Sequence, residues 1–518
     1  LIFAERRCRL NGNHRAANGL MSEATIDESL EREIRSWNPW WAGKPGRILP
    51  PFRRWAFKPL LRKIDIRLSP IVVLRGARQV GKTTLQEQIV EFLLTERRID
   101  PRRIFRVQFD QIRSIRAIES MADPILHLTH WYERAVLGET LNEAAHRAQP
   151  AYLFFDEAQE LDCWAPQLKS LVDHNTVHVM ATGSSAFQIA AGQDSLAGRI
   201  TMMEMGTLLL REIAAIRSGA HVEPLMPENG LRPLLEMEFW REIDRNGARH
   251  AESRNDAFAA FSERGGYPIA HVGVEMTWPE IADKLNDDVI RRALRHDLRL
   301  EESGRRLSEQ LVDEVFRLVC RYAGQSPTKE TMVEQLRDSL KTSIRWPQAS
   351  DCLERLERAM LIRMIRPMEL RLRRTGSSSK LCVVDHALRA SWLEETIPID
   401  PQALLASPQS ADLAGRIAES VVGIFLSGLL HLDLVHFPKR ADEAEVDYVL
   451  RIGDKNIPLE VKYRRRIDPL RDTVGLRSFL EKVHYNAPFG VLVTMEDETE
   501  VVDPRIVTVS LRSLLLMR

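Results

Sequence analysis

The sequence predicts an α/β fold: a parallel sheet with helices on both faces, built around a phosphate-binding loop and followed by a helical region and a second α/β domain. Three observations carry this. The stretch LRGARQVGKTTL (residues 74–85) follows the apolar run Ile71-Val72-Val73 and opens a helix predicted over 83–94, so a glycine loop sits at a strand-to-helix turn. YLFFDEAQ (152–159) is an apolar run too short for a helix and ends in two carboxylates, while VHVMATGSSA (177–186) is a short apolar run ending in hydroxyls. Over residues 53–219 such strands alternate with helical stretches, IFRVQFD (104–110) being one more strand.

Gly76 and Gly81 bracket GARQVGKT in the pattern G-x-x-x-x-G-K-[ST]. In that pattern the backbone of Gly76, Ala77, Arg78, Gln79, Val80 and Gly81, with the following helix N-terminus, cradles a polyphosphate. Lys82 then reaches the β- and γ-phosphates, the Thr83 hydroxyl ligates Mg2+, and Thr84 packs or caps beside them. At the end of the acidic strand Asp156 holds the Mg2+ through water and Glu157 polarises the water that attacks the γ-phosphate. Thr182 and Ser184, on the neighbouring strand, are placed to sense that phosphate. ATP and Mg2+ are therefore the expected ligands, and ATP hydrolysis the expected reaction. SLAGRITMMEM (195–205) adds Arg199 from a glycine-containing loop. Two readings stay open for it: an arginine finger toward its own or a neighbouring subunit's γ-phosphate, or a surface arginine.

A chain of 518 residues exceeds one hydrophobic core, and three or four domains are expected. Lys+Arg and Asp+Glu stand at 73 each, so no global charge argues for nucleic acid and any basic surface is local. The cysteines, Cys8, Cys163, Cys320, Cys352 and Cys382, are far apart and read as buried thiols rather than disulfides or zinc ligands. The best candidate for a membrane span, residues 421–435, is broken by Ser427, His431 and Asp433. A soluble, cytoplasmic protein without membrane contact is the expectation.

Residues 1–20 carry Arg6, Arg7, Arg9 and Arg15 without an apolar core and read as a disordered extension, with Met21 as the natural start. Residues 21–52 are expected to pack on the nucleotide domain (53–219), Trp37, Trp40 and Trp41 covering its core rather than stacking on a ligand. Residues 220–304 read as a helical lid or linker, interrupted by the sharp turn ERGGYP (263–268); Arg291, Arg292, Arg295 and Arg299 then form a solvated face. Residues 305–396 give three short helices and a basic hairpin, the order of a winged helix, with Arg371, Arg373 and Arg374 on the wing. Such a wing either touches phosphates or serves as packing between domains.

The last domain, 411–518, holds a second constellation. GRIAESVVGIFLSGLL is an amphipathic helix carrying Glu419; EVDYVLRI and NIPLEVKY are strands joined by the turn Gly453-Asp454-Lys455-Asn456. Strand periodicity puts Glu460 and Lys462 on one face, with Asp447 across the hairpin. Two carboxylates and a lysine can bind Mg2+ and orient a water for phosphodiester attack. The alternative is a surface salt bridge between Glu460 and Lys462.

With these residues in hand, the chain resembles a large family of bacterial and archaeal AAA-type ATPases that carry a C-terminal domain of unknown function. The likeness covers nearly everything after Met21 and rests on GARQVGKTT, FFDEAQ, TGSSA, SLAGR, GGYP and the ending EVDYVL…IPLEVKY. In that family the end of the chain is similar to the PD-(D/E)xK nuclease fold. The resemblance implies a restriction-endonuclease-like domain in which Asp447, Glu460 and Lys462 fill the catalytic positions and Glu419 is the auxiliary metal-binding acid; it also marks Arg199 as nucleotide-sensing. Val446 stands where the nuclease motif has its leading proline. Two functions follow as expectations. One is an ATP-driven DNA-handling enzyme with a metal-dependent nuclease-like domain. The other is a nucleotide-switched regulator or defence sensor whose last domain only docks DNA or a protein partner. ATP, DNA, a second copy of the chain and a protein partner are the candidate partners.

Overall fold

The computed structural model describes residues 26–66, 69–111, 121, 123–161, 163–183, 198–226, 230–272, 276–294, 309–369, 378–439 and 443–518. They fall into two compact units, Leu1–Gly76 with Gly81–Met205, and Gly206–Arg518 with Ala77–Val80. In the first unit β1 (Ile71–Arg75), β2 (Ile104–Gln108), β3 (Tyr152–Asp156), β4 (His178–Gly183) and β5 (Ile200–Glu204) form, among the described residues, one sheet in the order β2-β3-β4-β1-β5. Every pair is parallel. β2 and β3 are buried along their whole length, as parallel strands covered on both faces must be, whereas β5 at the edge is half-buried throughout.

Around this sheet lie α1 (Glu28–Trp37), α2 (Phe57–Ile66), α3 (Lys82–Thr95), α4 (Pro124–Tyr132), α5 (Leu141–His146) and α6 (Trp164–His174). The free edge of β2 is closed by the segment after α1. Asn38 copies a ladder partner there: its amide donates to the Arg106 carbonyl and its oxygen accepts the Arg106 N–H, both at 2.8 Å. The indoles of Trp40 and Trp41 donate to the Ile104 carbonyl at 3.2 and 2.9 Å, and the Trp41 ring stacks on Phe105 and Tyr132. Trp37 and Trp41 pack against the core of this unit. Cys163 is disulfide-bonded, against the expectation of thiols throughout, while Cys320, Cys352 and Cys382 are buried thiols. Among the described residues no helix is long and apolar enough to cross a membrane.

The second unit begins with α7 (Leu210–Ser218), α8 (Met237–Arg249), α9 (Ala251–Arg264) and α10 (Trp278–Lys284). Arg291 and Arg292 pair one turn back with Asp287 and Asp288, as a solvated face does; Arg295 and Arg299 lie outside the described residues, as do Ser184, Arg371, Arg373 and Arg374. Then come α11 (Glu309–Arg321), α12 (Lys329–Leu340), α13 (Trp346–Arg358), the antiparallel pair β6 (Ile362–Ile365) and β7 (Lys380–Val383), and α14 (His386–Leu393). After α15 (Pro401–Leu405) and α16 (Ala411–Ser427) follow β8 (Asp433–Phe437), β9 (Val446–Ile452), β10 (Lys455–Lys462), α17 (Val474–Leu480), β11 (Gly490–Thr494), β12 (Ile506–Ser510) and α18 (Leu511–Leu516). These strands form a mixed sheet in the order β12-β11-β10-β9-β8, antiparallel between β8, β9 and β10 and parallel beyond. The β9–β10 turn is tighter than the predicted four residues. Lys455 already pairs with Ile452, leaving Gly453 (φ 62°) and Asp454 as the loop, a twist that glycine adopts without strain.

The GGYP turn is a buckle within the second unit. Gly265 has φ 71° and ψ −160°, a backbone region essentially closed to other residues, and the Gly266 N–H donates to Asp385 Oδ2 at 2.8 Å. Asp385 also caps α14 by accepting from the Ala387 N–H at 2.9 Å. A Cβ on Gly265 would lie 2.1 Å from Asp385 Oδ1 and 2.5 Å from Ala387 Cβ. Gly265→Ala is therefore expected to cost about 2–4 kcal/mol. Urea unfolding checks this: a midpoint within error of wild type would refute the clash.

Candidate functional site

Because β1, β3 and β4 are parallel, their C-terminal ends meet at one edge of the first unit's sheet, where helix N-termini and loops face a ligand. The Gly76 N–H donates to the Gly183 carbonyl at 3.3 Å, joining the start of the phosphate loop to the end of β4. Gly81 at φ 96° turns the chain so that α3 starts at Lys82. The Lys82 side chain, 4% exposed, donates to the Gly76 carbonyl at 3.1 Å and stands 3.5 Å from Glu157 Oε1. Glu157 itself has φ 50°, a left-handed backbone rare for a residue with a Cβ, which takes it out of the strand direction directly after β3. Its N–H donates to Thr182 Oγ1 at 3.1 Å, the Thr182 hydroxyl donates to Asp156, and the Gln159 amide donates to the Glu157 carboxylate. Asp156 Oδ2 also accepts from Arg106 at 3.4 Å and Gln108 at 3.3 Å, both side chains buried in β2. Burial pushes the Arg106 pKa down, against the pull of Asp156 and Glu87.

The second constellation lies wholly within the second unit. The β9–β10 register pairs Leu459 with Tyr448, which sets Asp447 beside the end of β10; its Oδ2 accepts the Val461 N–H at 2.9 Å. Lys462 Nζ donates to Glu460 Oε1 at 2.5 Å, so the Glu460–Lys462 pair exists, but Glu460 is buried rather than on the surface. A residue from outside this domain completes the cluster. Lys380, the first residue of β7, sends its Nζ 2.7 Å from Asp447 Oδ1, 3.2 Å from Glu419 Oε2 on α16, and 4.9 Å from the Tyr448 ring centre. The Tyr448 hydroxyl donates to the Glu419 carbonyl at 2.7 Å. Close helix packing makes this possible: a Cβ on Gly423 of α16 would lie 2.6 Å from Tyr448 Oη and 2.7 Å from Cys382 Sγ.

Burial, then the Asp447 charge, pushes the Glu419 and Glu460 carboxyls up to about 8, with the lysines working in the other direction. For Asp447 burial also acts upward, but Lys380 and Lys462 outweigh it and hold the carboxyl below its ordinary value. Burial likewise acts to lower Lys380, and Asp447 and Glu419 overcome it, so its pKa is raised. Asp447 and Lys380 are thus the charged pair at the centre. Glu460 Oε2 is buried without a hydrogen-bond partner. The Mg2+ site predicted from Glu419, Asp447 and Glu460 does not fit as these residues stand. Asp447 spends both oxygens on Lys380 and the Val461 N–H, and Lys380 also takes Glu419. Among the described residues no group of three His, Cys, Asp or Glu side chains is arranged to hold a metal ion.

Residues 68–214, which contain the loop and the acidic strand, match the family model of the AAA domain. This segment is an AAA-type P-loop ATPase domain. Residues 255–397 and 414–514 match two further families, each described as a domain of unknown function (DUF8612 and DUF4143). Among curated proteins the chain is similar to an uncharacterized protein of Methanocaldococcus jannaschii, at 25% identity over 183 residues. That alignment covers 34% of this chain, and the chain spans 35% of the length of that relative. Among solved structures it is similar to the Walker-type ATPase of Pyrococcus abyssi, at 15% identity over 67% of this chain and 99% of that one, with a TM-score of 0.36. It is also similar to the Saccharomyces cerevisiae Hsp104–ADP complex, at 15% identity over 66% of this chain and 42% of that one, with a TM-score of 0.28.

ATP binding and hydrolysis are the activities the AAA domain supports, and such domains use Mg2+ with the nucleotide. Thr83, half-buried in the first turn of α3, offers a hard oxygen donor of the kind Mg2+ takes; Asp156, whose oxygens accept from Thr182, Arg106 and Gln108, would reach the ion through a water molecule. Two predicted roles in the AAA domain change. Thr182 spends its hydroxyl on Asp156 and the Glu157 N–H, so it ties β4 to the acidic strand instead of facing a phosphate. Arg199 accepts the Ile71 N–H on its carbonyl at 3.1 Å, which puts it at the N-terminal edge of the sheet, and its side chain pairs with Asp173. The phosphate loop lies at the other end of β1, about 16 Å away along the strand. That overturns the reading in which Arg199 serves its own subunit's nucleotide. Thr84 accepts a hydrogen bond from Arg47 at 3.3 Å. Sequence reasoning missed Arg106, Gln108 and Lys380. The signal was available: each is a polar residue in a short strand otherwise apolar, and Arg106 and Gln108 share one face at a spacing of two.

Proposed function

We propose that the chain couples ATP hydrolysis in its AAA domain to DNA handling by its C-terminal domain. The observation that carries the first half is the Lys82–Glu157 pair at 3.5 Å, a phosphate-binding cation and a carboxylate base side by side at the sheet edge. On this reading the incoming phosphates replace Glu157 as the partner of Lys82 and release the carboxylate to take a proton from water. Thr83, with Asp156 acting through water, would hold Mg2+, which would supply charge neutralisation for the phosphates. Arg106 and Gln108 hold Asp156 in place through its Oδ2; Thr182 and Gln159 fix the backbone and the carboxylate of Glu157.

Support for the second half is the order Asp447, Glu460, Lys462 on a hairpin, an arrangement that resembles the PD-(D/E)xK nuclease centre, together with the helix–helix–helix–hairpin order of a winged helix before it. The other reading, a nucleotide-switched regulator whose last domain docks DNA or a protein partner without cutting, is favoured by the two lysines that occupy the acids. Incubating the purified chain with single- and double-stranded DNA and RNA, with and without ATP, in Mg2+ or Mn2+, separates them. Cleavage lost on Glu460→Gln supports the nuclease reading; shifted DNA mobility without cleavage supports the docking one.

Assembly is proposed through Arg199. Standing far from its own phosphate loop, this arginine serves a nucleotide only in a neighbouring copy. ATP turnover per subunit is then expected to rise with protein concentration, and Arg199→Ala to flatten the rise. Turnover independent of concentration in a protein that sediments as a monomer would exclude this role.

A further inference from the structure

Lys380 belongs to β7, which pairs with β6, yet its ammonium is 2% exposed among carboxylates of the C-terminal domain. Its seat is built from several sides. The Val383 N–H donates to Ser420 Oγ of α16 at 3.0 Å, the Gly324 N–H donates to the Leu381 carbonyl at 2.7 Å, and Gly423 lets α16 approach Cys382. Strand alternation sends Lys380 and Cys382 to the same side. The cluster holds three carboxylates, Glu419, Asp447 and Glu460, against two ammoniums, Lys380 and Lys462. Beside these pairs Glu460 Oε2 is buried with no hydrogen-bond partner, a polar atom the cluster leaves unsatisfied.

We propose that Lys380 is a tethered cation seated in the position a divalent metal would take between Glu419 and Asp447, so that Lys380 and the metal exclude each other. The physical reason is double occupancy. Nζ uses the Asp447 oxygen that is not already bonded to the Val461 N–H, and a second cation a few ångströms from a buried ammonium is repelled strongly where water does not screen it. Metal entry therefore requires the Lys380 ammonium to leave its place between Glu419 and Asp447. This inference rests on the reading of that centre as metal-dependent, but the two fail separately.

The test is Mn2+ binding to the full chain without nucleotide, followed by calorimetry and by the electron paramagnetic signal of free Mn2+. Wild type is expected to show no Mn2+ site that depends on Asp447. Lys380→Met is expected to gain one, at least about ten-fold tighter than any in wild type, and Lys380→Met with Asp447→Asn to lose it again. If Lys380→Met does not fold, Lys380→Gln keeps a hydrogen-bond donor without the charge and serves in its place. A wild-type site of the same affinity that disappears in Asp447→Asn overturns the proposal, and that arm needs no Lys380 variant. So does a Lys380→Met or Lys380→Gln protein that folds and binds no more Mn2+ than wild type. A Lys380 variant that binds Mn2+ but cuts no nucleic acid upholds the tethered cation and removes the nuclease reading. Wild type that binds Mn2+ through Asp447 and cleaves DNA does the reverse.

Discussion

Lys82→Ala is expected to abolish ATP binding, whereas Glu157→Gln is expected to keep binding and lower turnover by about 10²–10⁴-fold. The two effects separate because the two side chains act at different moments. Lys82 contributes its charge to the bound phosphates in the ground state, and without it the loop retains only backbone dipoles against a polyanion. Glu157 is held with its carboxylate toward Lys82 and Gln159 and its N–H on Thr182, so replacing one carboxyl oxygen by an amide preserves shape and most contacts while removing the base. Equilibrium binding of a fluorescent ATP analogue, with phosphate release under saturating ATP, checks both. A Glu157→Gln protein that turns over at the wild-type rate would take Glu157 out of the role of base.

Asp447→Asn and Glu460→Gln, chemically the same change thirteen residues apart on one hairpin, are expected to differ sharply in stability. Asp447→Asn leaves the Lys380 ammonium buried with Glu419 as its remaining carboxylate partner, at 3.2 Å, and is expected to cost about 3–5 kcal/mol. Glu460→Gln removes the carboxylate whose ionised form burial and Asp447 already disfavour. Its partner Lys462 is partly exposed and keeps its hydration, so the change is expected to leave stability within about 1 kcal/mol of wild type or to raise it. Urea melts at pH 7 decide the matter, the m-value guarding against a change in what unfolds. Equal losses for the two variants would mean that Lys380 does not depend on Asp447 in solution.

The local features of both sites were legible in the sequence because they are encoded over a few consecutive residues. A strand, a glycine loop and a helix in that order specify the phosphate cradle, and an apolar run ending in Asp156 and Glu157 specifies a buried strand that delivers acids to its C-terminal end. The hairpin that brings Asp447 near Glu460 is equally local, since period-two alternation and a glycine turn fix its register. What lay beyond the sequence is what depends on strand order and on distant elements. The sheet order β2-β3-β4-β1-β5 sets Arg106 and Gln108 of β2 beside Asp156 and sends Arg199 to the N-terminal edge of the sheet. No periodicity within either stretch contains that information. The same holds for the C-terminal cluster. Its acids could be listed from their spacing, but their charge state is set by Lys380, which lies 67 positions before Asp447 and arrives through the packing of β7 on α16. Electrostatic energy in a buried site depends on distance through space and on excluded water, and neither is a property of neighbouring residues in the chain.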